Sequence, residues 1–209
     1  MAASVANGSL SFGENYAILN LDWMTGLINA VKDTSEGQTL IENCIKWNDA
    51  VHEKSPRPLT VFSTLSFSPG QPEVKPDSPF AKLIAPYGEF SNTSPEVKID
   101  SHFKLDEKDI VVEKTRWCAS IGNALEQILR ARSIDTVIIS GLSLSGVVMS
   151  TIYRLFDLDY MIYVIRDNVL ELPVNQTAEF THVMLDMLLP KMGLKVISLG
   201  EALQALGNS

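Results

Sequence analysis

Asp135-Thr-Val-Ile-Ile-Ser-Gly141, the turn Leu142-Ser-Leu-Ser-Gly146 and Tyr160-Met-Ile-Tyr-Val-Ile-Arg166 decide the fold. The first run is β-branched and apolar over strand length, which predicts a strand. The small-residue turn predicts a strand-to-helix connection, Ser145 to Asp157 a helix, and Tyr160 to Arg166 the next strand. Neither strand alternates apolar with polar residues, so both are expected to be buried on two faces, as in a parallel sheet. A parallel pair needs a crossover, and the helix between them supplies one.

The rhythm continues in both directions. Towards the C-terminus come a helix over Thr177–Leu189, a strand over Leu194–Ser198 and a closing helix over Gly200–Leu206. Upstream, Asp109–Lys114 reads as a strand and Ala119–Arg132 as a helix. Further upstream, Tyr16-Ala-Ile-Leu-Asn-Leu-Asp22 reads as the first strand, followed by a turn-prone Thr25-Gly26. Ser35 to Lys54 carries apolar residues at helical spacing until Pro56 and Pro58 stop it, and Leu59–Thr64 is the second strand. Strands alternating with helices specify an α/β fold: a three-layer, doubly wound, Rossmann-like sheet of six mainly parallel strands. The expected organisation is a tail over residues 1–14 and a single domain over 15–209. Residues 65–108, rich in proline, form an irregular excursion with one short helix at Pro79–Ile84. So long a connection serves either as a lid or binding loop or as a surface insertion.

The chain has 209 residues, 45% of them hydrophobic and 20% charged, which suits a globular protein and not a disordered one. Its formal charge of -8 opposes attraction to polyphosphate and anionic lipid, so neither nucleic acid nor membrane is an expected partner. The first residues lack a basic start and an apolar core of signal-peptide length, and a cytoplasmic protein is expected. Two cysteines, Cys44 and Cys118, make no disulfide framework and suit a reducing compartment. His52, His102 and His182 are scattered, without metal-ligand spacing.

In a doubly wound sheet, ligands bind beyond the carboxyl ends of the strands where the strand order reverses. At those ends the sequence places Asp22 after the first strand, Lys114 after the third and Gly141-Leu-Ser-Leu-Ser-Gly146 after the fourth. Each alone reads equally as a cap, a solvated strand end or a plain turn. Together they suggest a carboxylate that moves a proton, a lysine that orients it, and backbone N–H groups that stabilise a developing negative oxygen. No nucleophile with a visible base accompanies them. Ser143, Ser145 and Ser150 have no partner histidine.

Asp22, Lys114 and the turn Gly141-Leu-Ser-Leu-Ser-Gly-Val-Val148 resemble, in order and spacing, the isochorismatase-like (cysteine hydrolase) superfamily over about residues 15–199. The resemblance implies a hydrolase acting on a small organic molecule. In the family's amidases an Asp, a Lys and a Cys form the triad. Asp22 and Lys114 match the first two, but the position of the family Cys, six residues after Gly141, is Val147. Cys118 lies four residues after Lys114 at the start of another predicted helix and is read as a half-buried small hydrophobe. The metal site of nicotinamidases would fall near Ser66 and Ser68, so no metal and no cofactor are expected. Isochorismatases proper lack the Cys and use the Asp as general acid on a vinyl ether. The resemblance therefore implies Asp/Lys acid-base chemistry with Asp22 and Lys114 catalytic, although Val147 is bulkier than the glycine of those enzymes. It also implies a non-proline cis peptide at Leu142-Ser143.

Trp23, Trp117, Leu142, Ser143 and Ser145 are the expected substrate-binding residues, the two tryptophans as walls for a planar or cyclic ligand, with core packing as the alternative that an aromatic beside a strand end more often follows. Arg116 is read as solvated, with a carboxylate ligand as the alternative. Other readings are a catalytically degenerate family member that binds a small molecule or protein partner, and a structural subunit of a homo-oligomer or hetero-complex that uses the apolar helix near Met184–Met192, a helix that core packing explains equally well.

Overall fold

The computed structural model describes residues 10–209. Six strands, β1 (Tyr16–Leu21), β2 (Leu59–Leu65), β3 (Ile110–Lys114), β4 (Thr136–Leu142), β5 (Met161–Leu170) and β6 (Lys195–Ile197), form one sheet in the order β3-β2-β1-β4-β5-β6. All five strand pairings are parallel. The chain winds outward to β3, then returns to place β4 against β1, so the order reverses between β1 and β4. That opens a crevice at their carboxyl ends.

The pleat sends alternate β1 residues to opposite faces. Ile18 joins a cluster with Ile28, Trp47 and Ala202, whereas Ala17, Leu19 and Leu21 join one with Leu129, Ile152 and Leu185. Helices α1 (Thr25–Val31), α2 (Ser35–Glu53) and α8 (Leu199–Gly207) cover the first face. The second is covered by α4 (Leu125–Ala131), α5 (Met149–Phe156), α6 (Thr177–Thr181) and α7 (Leu189–Lys191), the last two joined by a wide-turn π segment over His182–Leu188. Among the described residues no helix is long and apolar enough to cross a membrane.

Four expectations change. Thr25-Gly26 opens a helix, not merely a turn: the Thr25 N–H is held by the Lys98 carbonyl at 2.9 Å, and Ile28 and Val31 are buried on the core-facing side. The helix expected over Ala119–Arg132 is confined to α4. The Asn123 side chain donates to the Glu113 and Ala119 carbonyls and accepts the Leu125 N–H, and this local bonding competes with helical bonding over the first turn. β5 runs past Arg166 to Leu170, as described below. The N-terminal tail falls partly outside the described residues (1–9), and the described part is not loose: Phe12 packs among Tyr16, Trp47 and Tyr163 with ring centroids 5.1–6.4 Å apart.

The excursion contains α3 (Pro79–Ile84), where the short helix was expected, with Ser78 as its N-cap. Phe67, Val74, Ile84, Phe90 and Val97 form a third apolar cluster with Met24 and Leu65, which fixes the excursion over the carboxyl end of β2.

Candidate active site

Asp22 leaves β1 with φ of 58°, a left-handed conformation that a short polar side chain tolerates better than most. Its N–H donates to the Ser63 carbonyl at 3.0 Å, and its Oδ1 accepts the Ser63 hydroxyl at 2.7 Å. Lys114 ends β3, and its Nζ lies 2.7 Å from Asp22 Oδ2 and donates to the Arg116 carbonyl at 3.0 Å. β2 separates β1 from β3, so the two side chains meet across an intervening strand, about 10 Å between backbones at normal strand spacing. A long lysine side chain can bridge that gap, and Ser63 on β2 sits beneath the contact.

Both charged groups are buried. Burial is the largest influence on Asp22 and raises its pKa above the ordinary carboxylate range. The Lys114 ammonium and the Ser63 hydroxyl pull it back only in part.

Asp22 and Lys114 line a cavity of about 120 Å³. Leu142, Ser143, Ser145 and Val147 form its side towards β4, and Trp117 stands at its edge, partly exposed. The Leu142–Ser143 peptide is cis. A wide π turn over Leu144–Val148 then leads into α5. Gly146 lets the turn close tightly, since a Cβ there would stand 2.7 Å from Ser143 Oγ.

Trp23 requires a correction. It is wholly buried in the core, its ring 4.6 Å from that of Phe103 and edge-on to Phe62, and it does not line the cavity. The chain turns at Asp22, so consecutive side chains diverge, one towards the crevice and one under α1 and α2. The wall expected of Trp23 comes instead from the excursion, through Leu83, Ile84, Tyr87 and Phe90. Arg116 is exposed, as expected, and its guanidinium also donates to the Glu73 carbonyl at 2.7 Å and stands 5.2 Å from the centre of the Phe80 ring, tying the excursion to the loop after β3.

Ser63, Tyr87 and Glu171 are site residues that the sequence reading misses. Glu171 is buried on the cavity wall. Its Oε2 accepts the Ser145 N–H at 2.7 Å and its Oε1 the Leu172 N–H at 2.8 Å. It follows directly on β5, whose register against β4 shifts between Ile139 and Gly141 and so carries the strand to Leu170. The signal was available only as a lone Glu before Leu172-Pro173.

Neither Cys44, buried in the core, nor Cys118, half-buried with Sγ 3.4 Å from Ser120 Oγ, lines the cavity. Among the described residues one group has the spacing of metal ligands, His52 with Asp106 and Asp109, and the Arg57 guanidinium already pairs with both aspartates. It lies at the opposite end of β3 from Lys114.

The sequence pattern of the isochorismatase domain matches residues 16–200. The chain belongs to the isochorismatase family. No curated protein matches it in sequence. Solved structures share the isochorismatase fold over almost the whole chain. An isochorismatase family protein from Burkholderia thailandensis superposes with a TM-score of 0.77 at 21% identity, covering 96% of this chain and 100% of its own. The N-carbamoylsarcosine amidase of Thermoplasma acidophilum gives 0.70 at 19% identity, covering 89% and 97%. A cysteine hydrolase from Pseudomonas syringae pv. phaseolicola gives 0.75 at 13% identity, covering 98% and 99%. At these identities the likeness is one of fold.

Proposed function

We propose that the protein is an isochorismatase-like hydrolase of a small organic molecule that works by Asp22/Lys114 acid-base chemistry without a cysteine nucleophile. The observation that carries this reading is the buried Asp22–Lys114 pair facing a cavity whose wall holds Val147 and no cysteine. Val147 occupies the position of the family Cys in the resemblance, and its isopropyl group offers no nucleophile. What the site offers is a proton: an Asp22 carboxyl with a raised pKa is suited to donate one to a substrate atom, as a general acid must. Lys114 then stabilises the carboxylate left behind, and Ser63 holds it in place.

Asp22→Asn protein, shown to be folded by circular dichroism, is expected to lose turnover by at least about a hundredfold across a panel of ester, amide and vinyl-ether substrates. Turnover at the wild-type rate would refute the proposal. One observation favours the second reading, a family member that binds without catalysis: Glu171 takes the Ser145 N–H, a donor that an oxyanion would otherwise use. Ligand occupancy with no turnover on that panel would establish it. Both free thiols suit a cytosolic location.

A further inference from the structure

The cavity wall carries three charged side chains, Asp22, Lys114 and Glu171, and each is answered from within the protein. Lys114 Nζ faces Asp22 at 2.7 Å and the Arg116 carbonyl at 3.0 Å. Both Glu171 oxygens accept backbone N–H groups, so a protein carboxylate already holds the donor at the start of the turn after β4. Arg116, the cation nearest in sequence, is drawn away to Glu73 and Phe80 and does not line the cavity. The fixed charges thus sum to a net negative when Asp22 is ionised and to zero when it is protonated. In neither state does a free cation among the described residues await a ligand.

Apart from Ser143, Ser145 and Tyr87 the remaining wall is apolar, with Leu27, Leu65, Phe90, Trp117 and Leu172 among its residues. Tyr87, whose phenol is held protonated by burial and by the Glu171 charge, adds a neutral hydroxyl. An anion entering here would meet the hydroxyl-bearing Tyr87, Ser143 and Ser145 but no unpaired cation among the described residues to offset the hydration it surrenders. A neutral ring gains about 25 cal/mol for each Å² of apolar surface that it buries.

We propose that this site takes an uncharged or cationic, largely apolar small molecule and turns away carboxylates and phosphates, Glu171 being the residue that sets the discrimination. The proposal rests on reading this cavity as the substrate site. It is a statement about binding and not about the chemical step.

The probes are benzamide, benzamidinium and benzoate, three planar molecules of nearly equal shape that are neutral, cationic and anionic. Their affinities are measured by calorimetry and by Trp117 fluorescence at neutral pH. Benzamide and benzamidinium are expected to bind wild-type protein at least about tenfold more tightly than benzoate. Glu171→Gln should close most of that gap by strengthening benzoate. Should that variant fail to fold, Leu83→Arg, which places a cation on an exposed part of the wall, should raise the affinity for benzoate relative to benzamide severalfold. Benzoate binding as tightly as benzamide, absence of binding by all three, or unchanged discrimination in the folded variants would each overturn the proposal. Asp22-dependent hydrolysis of an anionic substrate would keep the acid-base reading and overturn the substrate class. Selective binding without any turnover would do the reverse.

Discussion

Lys114 Nζ lies 2.7 Å from Asp22 Oδ2, and both side chains are almost fully removed from solvent although their strands are not neighbours. Removing one partner of such a pair leaves an uncompensated buried charge. Replacing both need not be costly. Lys114→Met is therefore expected to destabilise the protein by about 3 kcal/mol in mildly alkaline buffer, and by less on acidification, when the Asp22 carboxyl takes up a proton. The Asp22→Asn/Lys114→Met double variant should recover most of the loss. Urea titrations of the four proteins give the coupling directly, and additive losses would show that the pair is not coupled.

The raised pKa of Asp22 fixes the sign of a pH effect. Between the ordinary aspartate pKa and the raised one, the folded state holds a proton that the unfolded state releases, so stability falls as pH rises through that window. If the protonated carboxyl is the working acid, activity falls on the same limb. Ser63 donates to the carboxylate and favours its charged form, so Ser63→Ala should raise the pKa further and move the descending limb of the pH–rate profile to higher pH. A limb that stays put or moves to lower pH would remove Asp22 from the acid role.

The two tryptophans next to the charged pair show how much of this was legible. The sequence placed Asp22 and Lys114 at strand ends and the turn at Gly141 beside them, because burial on both faces and β-branched runs mark parallel strands wherever they fall. It could not resolve which way Trp23 points, since that depends on the left-handed backbone at Asp22. Nor could it see Glu171. Arg166, Asp167 and Asn168 interrupt the apolar run of β5, yet the strand continues, and the first two find partners across the fold while the buried Asn168 amide has none among the described residues. Arg166 pairs with Asp186, and Asp167 accepts the Leu199 N–H at 2.6 Å. The excursion's part in the wall was equally hidden, since its Leu83, Ile84, Tyr87 and Phe90 approach the site only through tertiary packing.

The same contrast separates stability from binding. Trp23→Ala should cost about 3–5 kcal/mol, the usual consequence of emptying a large core site. Trp117→Ala, at a partly exposed position on the cavity edge, should change stability by about 0.5 kcal/mol or less while weakening ligand binding. Thermal denaturation and ligand titration of both variants separate the two roles. Equal destabilisation would place Trp117 in the core as well.

Val147 lines the cavity with Asp22 and Lys114 and is buried, so a thiol placed there would face the buried ion pair. Val147→Cys is a small volume change and should fold. A thiolate is stabilised by a neighbouring ammonium, and a carboxylate with a raised pKa can accept the thiol proton, so the new cysteine should be more nucleophilic than Cys118, which bonds only to Ser120. Iodoacetamide followed by peptide mass spectrometry should show residue 147 alkylated faster than Cys118, and benzamide should protect it. Slower labelling at 147 than at Cys118 would mean that Asp22 and Lys114 do not activate a group at that position.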